Sequence, residues 1–182
     1  MEWRMPLSMK RLRGVIVPLL LVLGVPVCAG ASEAGARYRF LDKSAPEISQ
    51  RLFVGPSRNF RLSDRRGEVV LVGFWTSWCG SCRAYLERLG AMDATYAKTG
   101  LVVLGVSLDD DPERAQALAQ SMGLRFRNTV DSSKKLGARF FVNDVPMTLL
   151  IDREGVVRYV HGDLDAAGAV QLVTEIRQLL DE

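Results

Sequence analysis

Apolar positions in the middle of the chain fall into two rhythms. Glu68-Val69-Val70-Leu71-Val72-Gly73, opened by Gly67, is a short β-branched run of the kind that forms a buried strand. Cys82, Leu86, Leu89, Met92 and Tyr96 then recur at spacings of three and four, one face of a helix stopped by Gly100. Leu101–Val106 repeats the buried-strand pattern. Asp109-Asp110-Asp111-Pro112-Glu113 supplies a capping aspartate, a proline at the first helical position and an acid in the first turn, and so opens a helix that reaches Met122 before Gly123. Strand and helix in alternation predict a parallel-containing sheet covered on both faces.

The flanking segments are less regular. Arg51-Leu52-Phe53-Val54 and Asn59-Phe60-Arg61-Leu62 read as short strands around Gly55-Pro56. Within 124–141 a strand is predicted near Leu124-Arg125-Phe126 and a short helix around Ser133–Ala138, with five basic residues on a solvated face. Pro146 cannot donate to a ladder, so Val145-Pro146-Met147-Thr148-Leu149-Leu150-Ile151 is a strand that starts at its proline. Arg153-Glu154-Gly155 turns the chain back into Val156–Val160, His161 falls in the turn that follows, and Asp165 caps a final helix with Val170, Val173, Ile176 and Leu180 on one face.

Charge divides the 182 residues unevenly. Residues 1–29 hold four basic residues and one acidic, which accounts for the whole net charge of +3; the rest is balanced, and nothing in it points to nucleic acid. Basic residues up to Arg13, the apolar run Val15–Val25 and small residues at Ala29, Gly30 and Ala31 follow the order of a secretory signal peptide, with an uncleaved anchor as the rival. The expected organisation is a signal at 1–29, a loose lead-in at 30–50 and one domain at 51–182, placed in the periplasm or another extracytoplasmic compartment where disulfides persist. Cys28 leaves with the signal, so Cys79 and Cys82 remain as a lone pair.

That pair stands where a strand hands over to a helix, in Trp78-Cys79-Gly80-Ser81-Cys82. Unpaired N–H groups and the positive end of the helix dipole favour an anion there. The thiolate is the nucleophile in disulfide exchange, and helix N-termini and Cys-x-x-Cys motifs both promote it. One helical turn separates the two sulfurs, so Cys82 can attack a mixed disulfide formed at Cys79. The alternatives are structural. A zinc site needs about four ligands, but the chain has three cysteines and His161 as its one histidine. A staple closing so short a loop stabilises little. The aspartates at 109–111 are read as a helix cap and not a metal site, so no metal or organic cofactor is expected; Asp109, at the carboxyl edge of the sheet, is the candidate acid near the dithiol.

Trp78-Cys79-Gly80-Ser81-Cys82, the downstream Val145-Pro146-x-Thr148 and the Gly155 hairpin together resemble the thioredoxin superfamily, in particular its exported TlpA/ResA/DsbE-like branch of thiol-disulfide oxidoreductases, over roughly residues 58–180. The resemblance implies an α/β three-layer sandwich, a mixed central sheet flanked by helices, with an N-terminal strand extension and an inserted strand and helix that residues 124–141 could supply. It implies that Cys79 is the attacking and Cys82 the resolving cysteine. Trp78 would wall the site, and Pro146 would be a cis-proline that lets Val145 offer backbone hydrogen bonds to a bound polypeptide. A disulfide-containing protein would be the substrate, in this branch including apocytochrome c, and a membrane thiol carrier the electron donor. Val145 leans the expectation toward a reductant. The competing classes are a redox-inert thioredoxin-fold binding or chaperone module and a thiol peroxidase, the latter on the partial motif Thr76-x-x-Cys79.

Three positions depart from the branch. Gly73 stands where thioredoxins bury an acid, Tyr85 stands where many branch members carry glutamate, and Ser81 replaces a frequent proline. The proton acceptor for Cys82 is therefore open.

Overall fold

The structure is a computed structural model that describes Arg39 and residues 41–182. The expected signal at 1–29, with Cys28, and residues 30–38 and 40 of the lead-in lie outside the described residues. Seven strands form one sheet: β1 Ser49–Val54, β2 Asn59–Arg61, β3 Val69–Trp75, β4 Leu101–Ser107, β5 Arg127–Val130, β6 Met147–Ile151 and β7 Val157–His161, in the spatial order β2-β1-β5-β4-β3-β6-β7. The central β3–β4 and β4–β5 pairs are parallel, and the outer pairs are antiparallel. Four α-helices accompany them among the described residues: α1 Cys82–Tyr96, α2 Pro112–Ser121, α3 Lys135–Arg139 and α4 Ala166–Asp181. This is the mixed, helix-flanked sheet of the thioredoxin-like class.

The alternation of side chains along β3 explains the layers. Val69, Leu71 and Trp75 pack with Leu86 and Leu89 of α1, Leu118 of α2 and Leu172, Ile176 and Leu179 of α4. Val70, Val72 and Phe74 face the other way, onto Ile48, Leu52, Phe60 and Phe140. All seven residues of β3 and of β4 are buried, which is why neither shows a polar alternation in sequence. Asp111 caps α2 through the Glu113 N–H and Asp165 caps α4 through the Gly168 N–H, as the sequence predicts.

Four expectations shift. The strand expected near 124–126 begins at Arg127, and its buried residues are Asn128 and Thr129, polar side chains that hydrophobic patterning does not register. The core face of α4 is Leu172, Ile176 and Leu179, while Val170 is 69% exposed; the apolar stripe is rotated from the one read in sequence. The described part of the lead-in packs on the domain: Leu41 bridges to Val157 of β7, Ser44 to the adjacent Val156, Ile48 is fully buried, and β1 starts at Ser49. His161 is no exposed turn residue. It ends β7 opposite Thr148, its side chain is 14% exposed, and its Nε2 lies 2.5 Å from the buried Glu175 carboxylate.

Candidate active site

The parallel β3 and β4 both end at the same edge of the sheet, and the chain leaving β3 carries the cysteines. Cys79 and Cys82 form a disulfide, with the Cys79 carbonyl accepting from the Cys82 N–H as the turn winds into α1. The two sulfurs are unequal. Cys82 is fully buried among core residues, whereas Cys79 is half-buried at the surface. Of the two sulfur-bearing residues, Cys79 is the one open to solvent.

The loop between β3 and the cysteines is pinned from β4. Asp109, 2% exposed, accepts from the Ser77 N–H at 2.9 Å, from the Ser77 hydroxyl at 2.7 Å and from the Ser107 hydroxyl at 2.7 Å. Its carboxylate is occupied by donors, so it serves as an anchor for Thr76–Trp78 and is not a free base. Trp78 projects from this loop with 72% of its surface exposed, which rules out a core role.

Across the disulfide stands the β6 end. The Val145–Pro146 bond is cis, and the Val145 carbonyl oxygen lies 3.8 Å from Cys79 Sγ. A bridged sulfur has no hydrogen to give; the contact becomes a donor–acceptor pair only when the disulfide is reduced. Trp78, Leu108, Val142 and Val145 line a cleft of about 310 Å³ at this point, with Lys134, Asn143 and Asp144 on its polar side. All five expected site residues, Cys79, Cys82, Trp78, Val145 and Pro146, thus gather at one edge of the sheet. A groove of about 400 Å³ between α1 and α4 holds none of them.

The first turn of α1 carries a residue whose place the sequence alone does not reveal. Tyr85 is fully buried, and its hydroxyl lies 2.9 Å from Thr148 Oγ1 and 3.2 Å from the Met147 carbonyl oxygen. A Cβ on Gly73 would fall 2.4 Å from that same hydroxyl. Gly73 is therefore the complement of Tyr85: the phenol occupies the space a side chain at 73 would need. Burial pushes the Tyr85 phenol far above its ordinary value, with the Asp163 charge adding and the Thr148 bond opposing, so it stays a neutral hydroxyl wherever thiolate exchange occurs. The signal in sequence was the coincidence of two departures, at 73 and 85, but only the fold brings them together.

A Cys-x-x-Cys disulfide at the start of a helix, faced by a cis-proline strand on a mixed sheet, defines a thioredoxin-like protein. The chain belongs to the AhpC/TSA family, whose sequence profile matches residues 41–160. It is similar to the thiol-disulfide oxidoreductase ResA of Geobacillus thermodenitrificans, 29% identical over 103 residues that cover 57% of this chain and 59% of that relative, so the shared part falls short of the relative's full length. It is also similar to the thiol:disulfide interchange protein DsbE of Yersinia pestis, 33% identical over 128 residues, 69% of this chain and 66% of that protein. Among solved structures, a protein of Chlorobium tepidum assigned as a thiol:disulfide interchange protein DsbE superposes with a TM-score of 0.71 at 31% identity, covering 77% of this chain and 99% of that one.

Proposed function

We propose that this protein is an exported thiol-disulfide oxidoreductase that exchanges disulfides with protein partners through Cys79 and Cys82. The observation that carries the reading is the inequality of the pair: a reachable Cys79 bonded to a buried Cys82, beside the Val145–Pro146 backbone. Similarity to ResA and DsbE proteins supports the same chemistry.

In the reducing direction, toward which Val145 leans the reading, the reduced Cys79 thiolate attacks one sulfur of a partner disulfide. The partner's S–S bond breaks, one partner sulfur leaves as a thiolate that takes up a proton from water, and a mixed disulfide forms at Cys79. Cys82 then loses its proton and attacks the Cys79 sulfur. The second partner sulfur leaves and takes up a proton, the partner has gained two electrons, and the Cys79–Cys82 bridge is restored. A dithiol donor, by this reading a membrane thiol carrier, reopens the bridge. Trp78 and Val145 flank the incoming strand, and Pro146 keeps the Val145 backbone turned toward it. Export rests on the signal pattern at residues 1–29. Apocytochrome c is a candidate partner by analogy with the branch.

The test is mass spectrometry of variants incubated with a disulfide-bonded peptide. Cys82→Ala is expected to accumulate a covalent peptide adduct at Cys79, and Cys79→Ala to form none and lose all exchange. Absence of adduct in Cys82→Ala, together with no peptide reduction by the wild type, would contradict the proposal. Consumption of peroxide in preference to peptide disulfide would replace it with the peroxidase reading.

A further inference from the structure

Cys79 Sγ and the Val145 carbonyl oxygen, 3.8 Å apart, belong to different elements, and something must fix the gap between them. On one side the dithiol rides on α1. On the other, Val145 and Pro146 lead into β6. The Tyr85 hydroxyl is the polar group that joins these two elements: it comes from the first turn of α1 and reaches the two residues that follow Pro146. Directions follow from valence. A phenol has one proton, and a carbonyl oxygen can only accept, so Tyr85 donates to Met147 while Thr148 donates its hydroxyl proton to the Tyr85 oxygen. Both bonds are fully buried and leave no spare donor.

Gly73 completes the arrangement from β3. It pairs with Thr148 on β6, and any Cβ there would meet the Tyr85 hydroxyl at 2.4 Å and Leu89 Cδ1 at 2.5 Å. The glycine thus leaves the space in which the phenol hydroxyl reaches the start of β6. From that strand's lead-in the Val145 carbonyl oxygen lies 3.8 Å from Cys79 Sγ.

We propose that Tyr85 is a positioning residue for polypeptide substrates: its hydroxyl, through Met147 and Thr148, sets the spacing between Cys79 and the Val145 backbone to which a substrate strand pairs. The inference rests on the exchange activity proposed above. A disulfide without a peptide backbone needs only Cys79 and is indifferent to that spacing. A peptide must reach the sulfur and pair with Val145 at once, and it loses when the two drift apart.

The experiment compares two disulfides on the full chain: a short disulfide-bonded peptide and dithiodiethanol, which has no peptide group. Tyr85→Phe is expected to lower kcat/KM for the peptide about tenfold, chiefly through KM, while leaving dithiodiethanol within about twofold. Thr148→Val should reproduce the selective loss, and Thr148→Ser, which keeps the hydroxyl, should restore wild-type discrimination. Equal losses on both disulfides, or loss on neither, would overturn the inference. If Tyr85→Phe does not fold, the contrast between Thr148→Val and Thr148→Ser decides the matter alone. A wild type inactive on both disulfides would contradict the proposed function itself, an outcome separate from a wild type that is active with no selective loss in the variants.

Discussion

The two walls of the cleft beside Cys79 are held by different chemistry. The Thr76–Trp78 wall hangs on a buried carboxylate: Asp109 takes hydrogen bonds from Ser77 and Ser107, and among the described residues no basic side chain pairs with it. The Val145–Pro146 wall hangs on the neutral hydroxyls of Tyr85 and Thr148. Bonds to a charged acceptor are roughly twice as strong as neutral ones, and removing a buried acceptor leaves several donors unpaired. The Thr76–Trp78 wall is therefore the stiffer and the Val145–Pro146 wall the softer. Under the proposed function, such a division would keep Cys79 fixed while the docking edge accommodates different strands.

The comparison can be broken most severely at Asp109. Asp109→Ala strands the Ser77 N–H and two hydroxyls, and should destabilise the fold by about 3 kcal/mol in chemical denaturation. Exchange should slow at least about tenfold as the loop carrying Trp78 and Cys79 loses its anchor. Asp109→Asn should be nearly as damaging, because its amide cannot accept where it carries donors. If Asp109→Ala were as stable and as active as the wild type, the two walls would not differ as described.

A smaller effect is expected at the soft wall. Gly73→Ala forces its methyl against the Tyr85 hydroxyl and Leu89, an overpacking cost of about 1–3 kcal/mol. Combined with Tyr85→Phe the two costs should be sub-additive, since deleting the hydroxyl frees the space the methyl needs. Strict additivity in the double-mutant cycle would mean that the residues do not share that space.

The smallest effect serves as a control away from both walls. Burial raises the Asp93 carboxyl on α1 above its ordinary value, with Arg127 partly opposing. The folded state thus holds that proton more tightly than the unfolded chain. The associated stability is fully present below the unfolded value, about 3.9, and is lost as pH rises through the folded one. Asp93→Asn should raise Tm slightly at neutral pH, with the gain vanishing in acid and exchange unchanged. A gain that persisted in acid would point to another cause.

Much of this was legible in the chain. β3, α1, β4 and α2 were readable because each is either wholly buried or shows a clean three-and-four spacing with its caps. Cys79 and Cys82 were readable because strand and helix bracket them. The rest depends on tertiary partners. β5 hides because its buried Asn128 and Thr129 are polar. His161 looked like a turn residue because Glu175, its partner, lies on α4. Gly73 and Tyr85 each looked like a defect in isolation, and only the contact between them gives both a reason. Asp109 was found by its position at the sheet edge, but its work as an anchor depends on Ser77, which no spacing rule connects to it.

The central claim is that Cys79 and Cys82 cycle between bridge and dithiol. Its most direct measurement is alkylation with mass detection across a graded glutathione redox series. The account predicts that both cysteines open together as a two-electron couple, a tenfold change in equilibrium for about every 30 mV, within the range that protein partners span. A bridge that stays closed across the whole series, or two cysteines that open independently, would contradict it.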